Sequence, residues 1–491
     1  MTTEKKLGLS RAVIMGLGGA IGFEIFVLLD YAYFDLAGPS MVSAVFLCGF
    51  INLLTMFSYS ELSAAIPKVG GEYTYTKAAF GGLTAFMAGC LRWLASVFGG
   101  SLAAVVFAQQ LAYFFSIFGH MARNLILVNT PLIAAIIVVI LAVLDISGVK
   151  EATTLIVVAF LVIFVVFLAS GLWYGLTPPK VLPSSPGGLS GFFAATAYTF
   201  TMFVGMRALV AGAPQIKDPE KNVPKALLLS TILLTAVYCS VAYVAVGIVP
   251  AGDSVESPLL NFAAEKIMGG IGGILFAVAG MIASISSVGT AMMVQSSILG
   301  GMSRDGYLPK VLLKLHRRFG TRYVAVIASS LFVIFFSVTG AVEFLGYAAS
   351  FGSLLVFALV NLSLMKLREK EPHLKRPFKA PLYPITPIAG IVMSLLLLMF
   401  PVFLRDVNAE GALVSGFGLM ALVLATYYLR MVGRYRLRVA VGGVSLGMGV
   451  LLALLTPLLA RRFPFYILIF VSAVSIITGV LNIILRTRKI F

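Results

Sequence analysis

A succession of long, nearly uncharged apolar runs constrains this chain more than any other feature. Fourteen are found, at about 11–36, 40–66, 83–116, 125–145, 152–174, 190–213, 225–249, 270–302, 322–340, 341–365, 383–404, 411–430, 437–459 and 464–485. About 20 apolar residues in a helix cross a hydrocarbon core about 30 Å thick. Lipid offers no partner to backbone N–H and C=O groups, so each run must satisfy them internally, as a helix does. The division between the ninth and tenth runs rests on Gly340 and Glu343. Composition agrees: 60% of residues are hydrophobic and 11% charged, whereas a soluble domain carries roughly 25% charged residues. The expected fold class is an all-α integral membrane protein with about 14 transmembrane helices. The first run, after Lys5 and Lys6, is too long for a signal core and has no small-residue cleavage site, so it counts as the first span.

The net charge of +17 fits either nucleic-acid binding or one-sided loop charge, and the distribution separates them. With the N-terminus inside, the inside segments hold 28 of the 36 Lys and Arg residues. The outside segments hold six, Arg123, Lys180, Lys266, Arg405, Arg461 and Arg462, while Arg92 and Arg207 fall within spans. This is the positive-inside pattern. It predicts a multi-pass cell-membrane protein with an even number of spans and both termini cytoplasmic. Some basic clusters also suit anionic headgroups. No nucleic-acid motif is found, so the expected partners are the bilayer and a small-molecule substrate, with the oligomeric state open.

Cys48, Cys90 and Cys239 lie in apolar runs and read as small hydrophobes without a disulfide framework. His120, His316 and His373 fall in loops or at span ends. A haem, iron or copper centre needs several intramembrane His or Cys ligands, so no cofactor is expected.

Two runs are interrupted by glycine. The first contains Gly16, Gly18, Gly19 and Gly22; the sixth contains Gly205 and Gly212, followed by Pro214. Paired interruptions at matching places in two halves point to a transporter site. The first five spans cover 11–174 and the next five 190–365. Because five is odd, the second set starts on the opposite side of the membrane. The repeat is therefore inverted, with both interruptions near the midplane. Close helix packing through small residues is the competing account of these glycines. The last four spans, 383–485, lie outside the repeat and suit packing, lipid contact or oligomerisation, flanked by cytoplasmic ends at 1–10 and 486–491.

Several loop stretches resemble the amino acid–polyamine–organocation (APC) transporter superfamily. They are Gly16 to Phe26, Leu36-Ala37-Gly38-Pro39-Ser40, Ser58 to Leu62 running on to Gly70-Gly71-Glu72-Tyr73, Ile216 to Pro224, Ser303 to Pro309 and Arg376 to Pro384. Their order, from position 8 to about 400, is more specific than any one of them. Fourteen spans resemble the longer members, such as cationic amino acid transporters. The resemblance implies a LeuT-like 5+5 inverted-repeat fold with additional C-terminal helices and a central site between spans one and six. It also implies secondary transport of amino acids or related amines by alternating access, as symport or antiport. In that family, backbone N–H groups of the unwound first span hold the substrate carboxylate, where half-helix ends present free donors and a positive dipole. The residues carried over are Ile21, Gly22, Phe23, Glu24 and Ile25, with Phe203, Val204, Gly205, Met206 and Arg207 from span six.

The sequence departs from the family at two of these positions. A small residue is usual where Glu24 stands, and an acidic or neutral residue is frequent where Arg207 stands. Each charge lies two residues after the glycine of its interruption, Gly22 and Gly205. Inverted symmetry would bring them together, so Glu24 and Arg207 are expected as partners. They either line the site, Arg207 meeting a carboxylate and Glu24 an amine or a coupled proton, or form a buried pair that latches the broken helices. Arg92, in span three, is either a cytoplasmic gate or a snorkelling cation. Tyr198 and Tyr347 are candidate aromatic gates. Asp30, Asp35, Glu61 and Asp145 fall near span ends and read as interfacial.

For coupling, the resemblance raises two ions. Some relatives use a lysine in span five, but 152–174 carries no charge. Sodium would take hydroxyls of span eight, where Ser284 and Ser287 share a face. A proton on Glu24 and ion-free exchange are the other options. An enzyme would need catalytic groups clustered at membrane depth, and only Glu24 and Arg207 qualify. A transport-dead receptor or transporter subunit of the same fold is the alternative function.

Overall fold

The computed structural model describes residues 6–67, 70–148, 153–174, 186–249, 258–403, 406–431, 441–443, 445–450, 452–453, 456 and 465–484. Among them are α1 (Leu9–Ala20), α2 (Glu24–Tyr31), α3 (Met41–Ala65), α4 (Gly71–Phe80), α5 (Gly82–Phe115), α6 (His120–Val128), α7 (Thr130–Ile146), α8 (Thr153–Tyr174) and α9 (Gly188–Tyr198). Then follow α10 (Ala208–Ala211), α11 (Pro219–Ile248), α12 (Leu259–Met268), α13 (Gly270–Arg304), α14 (Tyr323–Val338), α15 (Val342–Lys370), α16 (Ile385–Phe403), α17 (Val407–Met431) and α18 (Phe465–Ile484). No strand occurs among the described residues. A single parallel bridge joins Leu7 to Ile216.

Among the described residues, six continuous helical stretches are long and apolar enough to cross a membrane, and a seventh forms if α6 and α7 count as one. The helices carry large exposed apolar side chains at helical spacing: Val139, Ile140 and Val143 on α7, Ile232 and Leu233 on α11, and Leu395, Leu396 and Met399 on α16. Apolar surface on this scale requires a lipid environment. The chain is thus a multi-pass helical membrane protein.

The expected spans and the helices coincide closely for α3, α5, α11, α13, α15 and α16. Gly340, at φ +64°, follows α14 and turns the chain into α15, so the expected boundary there falls between two separate helices. The fourth span is corrected: α6 and α7 meet at 68°, because Pro131 opens a new helix at its first turn. The loops expected at 67–82 and 250–269 contain α4 and α12. Most of the thirteenth expected span, 437–459, and all of 486–491 lie outside the described residues.

Both interrupted spans are broken. The first stops at Ala20 and restarts at Glu24. The sixth winds as a 3₁₀ helix over Thr199–Arg207 before the short α10. α1 packs against that 3₁₀ stretch, α3 against α11, α5 against α13 and α7 against α14. Phe26, Phe160, Phe164 and Phe276 form one ring cluster that ties α2, α8 and α13 together.

Candidate substrate-binding site

The two broken spans cross backbone on backbone. A Cβ built on Gly205 would lie 1.7 Å from the Gly19 carbonyl oxygen, and one on Gly16 would lie 2.5 Å from Ser230 Oγ. Gly16, Gly19 and Gly205 are therefore packing glycines. The carbonyls freed by the breaks are capped from neighbouring helices. The Tyr238 hydroxyl donates to the Ala20 carbonyl at 2.8 Å and lies 3.4 Å from that of Met202. Asn52 Nδ2 donates to the Phe203 carbonyl at 3.2 Å. Phe203 packs edge-on against the Tyr238 ring.

Gly22 is different. A Cβ there would meet Glu24 Oε2 at 2.3 Å and Ser287 Oγ at 2.9 Å, two side-chain ends and no backbone. The Glu24 carboxylate thus folds back over the break at the start of α2. That position favours negative charge, because the first amides of a helix have no intrahelical acceptor. Glu24 and Ser287 are half-buried, while Ile21, Phe23 and Ile25 are buried around them. Glu24 forms no ion pair among the described residues. Ser287 therefore joins the break from α13. Ser284, one turn earlier, is buried and donates to the Gly280 carbonyl at 2.8 Å.

Arg207 does not join this group, and its expected pairing with Glu24 is corrected. Its Nη1 stands 3.1 Å from Glu72 Oε1, and its Nε donates to the Val204 carbonyl at 3.1 Å. The cause is the 3₁₀ winding, which turns residues by about 120° each instead of about 100° and aims Arg207 at α4. Met206 is likewise withdrawn, buried beside Thr231 of α11. Val204 and Gly205 are half-buried and form the accessible edge of the stretch.

Around Glu72 the structure builds a buried ionic cluster. Tyr59 donates to Glu72 Oε1 at 2.9 Å, and Arg92 Nε lies 3.8 Å from the same oxygen. Burial pushes the Glu72 carboxyl up, but the Arg207 and Arg92 guanidiniums outweigh it and hold it below the ordinary carboxylate range. Arg92 is thus tied to α4. Further ties join the segments around it. Glu61 is 0% exposed, pairs with Arg368 at 2.6 Å and Arg376 at 3.3 Å, and accepts the Ala380 N–H. It lies near the end of α3, and a fully buried carboxylate needs such partners. Tyr73 and Lys77 of α4 both reach Asp305 at the end of α13. Leu7 N–H donates to the Gln215 carbonyl, and Lys217 N–H to that of Leu7. The basic loops are thereby gathered at one end of the bundle.

A family model described as amino acid permease matches residues 7–427. The chain belongs to the amino acid permease family. Membership makes it a membrane transport protein rather than an enzyme. The Bacillus subtilis branched-chain amino acid permease is 28% identical over 417 residues, covering 81% of this chain and 88% of that protein. The Bacillus subtilis methylthioribose transporter is 29% identical over 405 residues, covering 77% and 85%. The Arabidopsis thaliana vacuolar cationic amino acid transporter 2 is 28% identical over 387 residues, covering 75% and 60%.

At the permease's other end, Tyr198 and Tyr347 meet edge to face at 4.9 Å. Tyr31, which sequence reasoning missed, completes the cluster at 5.2 Å from Tyr198 and donates to Asp406 at 2.7 Å. Asp406 precedes α17, so a C-terminal helix contributes to this cluster. Asp30 accepts the Leu259 N–H at 2.8 Å and caps α12. Glu72 and Asp406 are the main omissions. One was hidden in an apparent loop and the other at a span end, and neither position stands out by composition.

Proposed function

We propose that this permease is a secondary transporter that moves amino acids or closely related amines by alternating access, with its site at the break in the first span. The observation that carries the reading is the convergence of Glu24 and Ser287 over Gly22, at the start of α2, where a helix presents amides without intrahelical acceptors. The substrate's ammonium group meets Glu24, and its carboxylate meets the amides of Gly22 and Phe23. The three relatives carry names for neutral, cationic and non-amino-acid cargo. The family alone therefore leaves the cargo open, and Glu24 selects a positively charged amino group.

The proposed scaffold is the LeuT-like arrangement of fourteen spans: repeats at 11–174 and 190–365, four further spans over 383–485, and both ends in the cytoplasm of a cell-membrane protein. Its support is the packing of equivalent elements on one another, α1 on the 3₁₀ stretch, α3 on α11, α5 on α13 and α7 on α14, as a two-fold axis between repeats requires. In this state the Glu72 cluster, the Glu61 cluster and the Leu7 bridge close the inner side, and Tyr31, Tyr198 and Tyr347 narrow the outer. The proposed coupling ion is a proton on Glu24 or sodium between Ser284, Ser287 and the carbonyls of the break, where hard oxygen ligands suit it.

Purified protein in proteoliposomes, assayed with labelled neutral and cationic amino acids and polyamines, tests the reading. Saturable uptake of an amine-bearing solute, reduced at least tenfold by Glu24→Gln, is expected. Binding without uptake of any solute would overturn transport. Clamping the proton and sodium gradients separately identifies the ion.

A further inference from the structure

Two guanidiniums in the inner cluster share one carboxylate. Glu72 Oε1 accepts from the Tyr59 hydroxyl at 2.9 Å and stands 3.1 Å from Arg207 Nη1 as an ion pair. Arg92 Nε stands 3.8 Å from the same oxygen, beyond hydrogen-bonding distance. Arg207 is 4% exposed, and neither of its terminal nitrogens meets hydrogen-bond geometry with any described residue, although the Tyr59 hydroxyl lies beside it. The Phe357 ring, 5.3 Å from the Arg207 guanidinium carbon, offers a π face but no acceptor. The cluster therefore carries one unmatched positive charge and a surplus of N–H donors in a desolvated interior. An unpaired buried charge is expensive.

We propose that the space between Arg92 and Arg207 is a binding site for a small monovalent anion, halide or carboxylate, that supplies the second negative charge. Guanidinium forks bind carboxylates through paired, charge-assisted hydrogen bonds, and the terminal nitrogens of Arg207 are buried with no hydrogen bond to any described residue. Entry is on the Arg92 side, where the side chain is 16% exposed against 3% for Arg207. The occupant is either a free anion from solution or the carboxylate of a departing substrate. In the second case the substrate exchanges with Glu72 and loosens α4 as it leaves. The free-anion case does not depend on the transport reading.

The test is thermal unfolding of the full-length protein in nanodiscs, in sodium isethionate at constant ionic strength. Sodium chloride and sodium acetate are titrated in turn, then the amino acid found in uptake assays beside its decarboxylated amine. Wild type is expected to gain several degrees with at least one anion, since a ligand that binds only the folded state raises its stability. Arg92→Gln removes the surplus charge, so it should melt higher than wild type in isethionate and no longer respond. Glu72→Gln leaves both guanidiniums unmatched, so it should melt lower but show a larger anion shift at lower concentration. If Glu72→Gln cannot be purified in isethionate, its recovery in chloride supports the same conclusion. A purely structural Arg92 predicts the opposite signs. A response to chloride and acetate assigns the site to free anions, whether or not any solute is transported. A response to the amino acid but not to its amine assigns it to the substrate carboxylate. Identical curves for wild type and Arg92→Gln with every probe, or no added anion sensitivity in Glu72→Gln, would overturn the site.

Discussion

Alanine at Gly205 and at Gly22 should have opposite consequences. At Gly205 the new Cβ falls 1.7 Å from the Gly19 carbonyl oxygen and 2.4 Å from its carbon, roughly 2 Å short of ordinary contact. Both obstacles are backbone, so no rotamer relieves them, and α1 must back away from the 3₁₀ stretch. Overpacking costs about 1–3 kcal/mol where side chains can adjust. With backbone on both sides, about 3 kcal/mol or more is expected. At Gly22 the Cβ meets only the ends of Glu24 and Ser287, at 2.3 and 2.9 Å. These can move, and Ala for Gly restricts the unfolded chain, which offsets strain by about 0.4–1 kcal/mol. Stability should change by less than about 1 kcal/mol, while the displaced carboxylate should lower uptake at least tenfold, about 1.4 kcal/mol. Thermal unfolding in detergent and proteoliposome uptake read the two effects separately. If Gly22→Ala transports normally, or destabilises as much as Gly205→Ala, the division between packing glycines and site glycine is wrong.

The remaining predictions concern the charges. Glu24→Gln should melt within about 1 kcal/mol of wild type because it loses no ion pair, whereas Arg207→Gln should lose about 3 kcal/mol, the low end for a broken buried pair, since Arg92 still faces Glu72. Equal melting of the two variants would contradict the assignment of Arg207 to Glu72. Burial raises the Asp305 carboxyl, but Lys77 and Tyr73 more than offset this and hold it low. Its stabilisation is therefore present above about pH 4 and lost only as pH falls through its depressed value. The small stability difference between wild type and Asp305→Asn should be constant from about pH 5 to pH 8 and narrow below about pH 4, and a steady change across the higher range would refute the contact. Tyr31→Phe removes a half-buried hydrogen bond to Asp406 and should cost about 1 kcal/mol by denaturant titration; no loss would remove Asp406 from the outer closure.

Hydropathy makes a bundle legible where each helix is long and embedded. α3, α5, α11, α13 and α15 follow their apolar runs because lipid forbids any other backbone state. Signals of a different kind were needed elsewhere. Asn129 and Pro131 bend the fourth span, yet the Leu125–Val128 segment before them is as apolar as a true crossing. α4 and α12 are too short to register as spans and too mixed to register as amphipathic. Gly22 and Gly19 look alike in sequence, and only the atoms facing them separate a site from a crossing.

The charged residues show why pairing is harder to infer than placement. Glu24 and Arg207 occupy equivalent positions in the two broken spans, and two-fold symmetry alone would join them. Symmetry of position is not symmetry of winding, however. The first span breaks over three residues and re-enters as an α-helix, so Glu24 turns back over its own helix start. The sixth stays wound as 3₁₀, so Arg207 turns toward Glu72 of α4. In a desolvated interior a guanidinium takes the nearest carboxylate that geometry allows. Here that carboxylate is supplied by α4, outside the spans themselves. Glu24 is thereby left half-buried and without an ion pair among the described residues, folded over the Gly22 break beside Ser287.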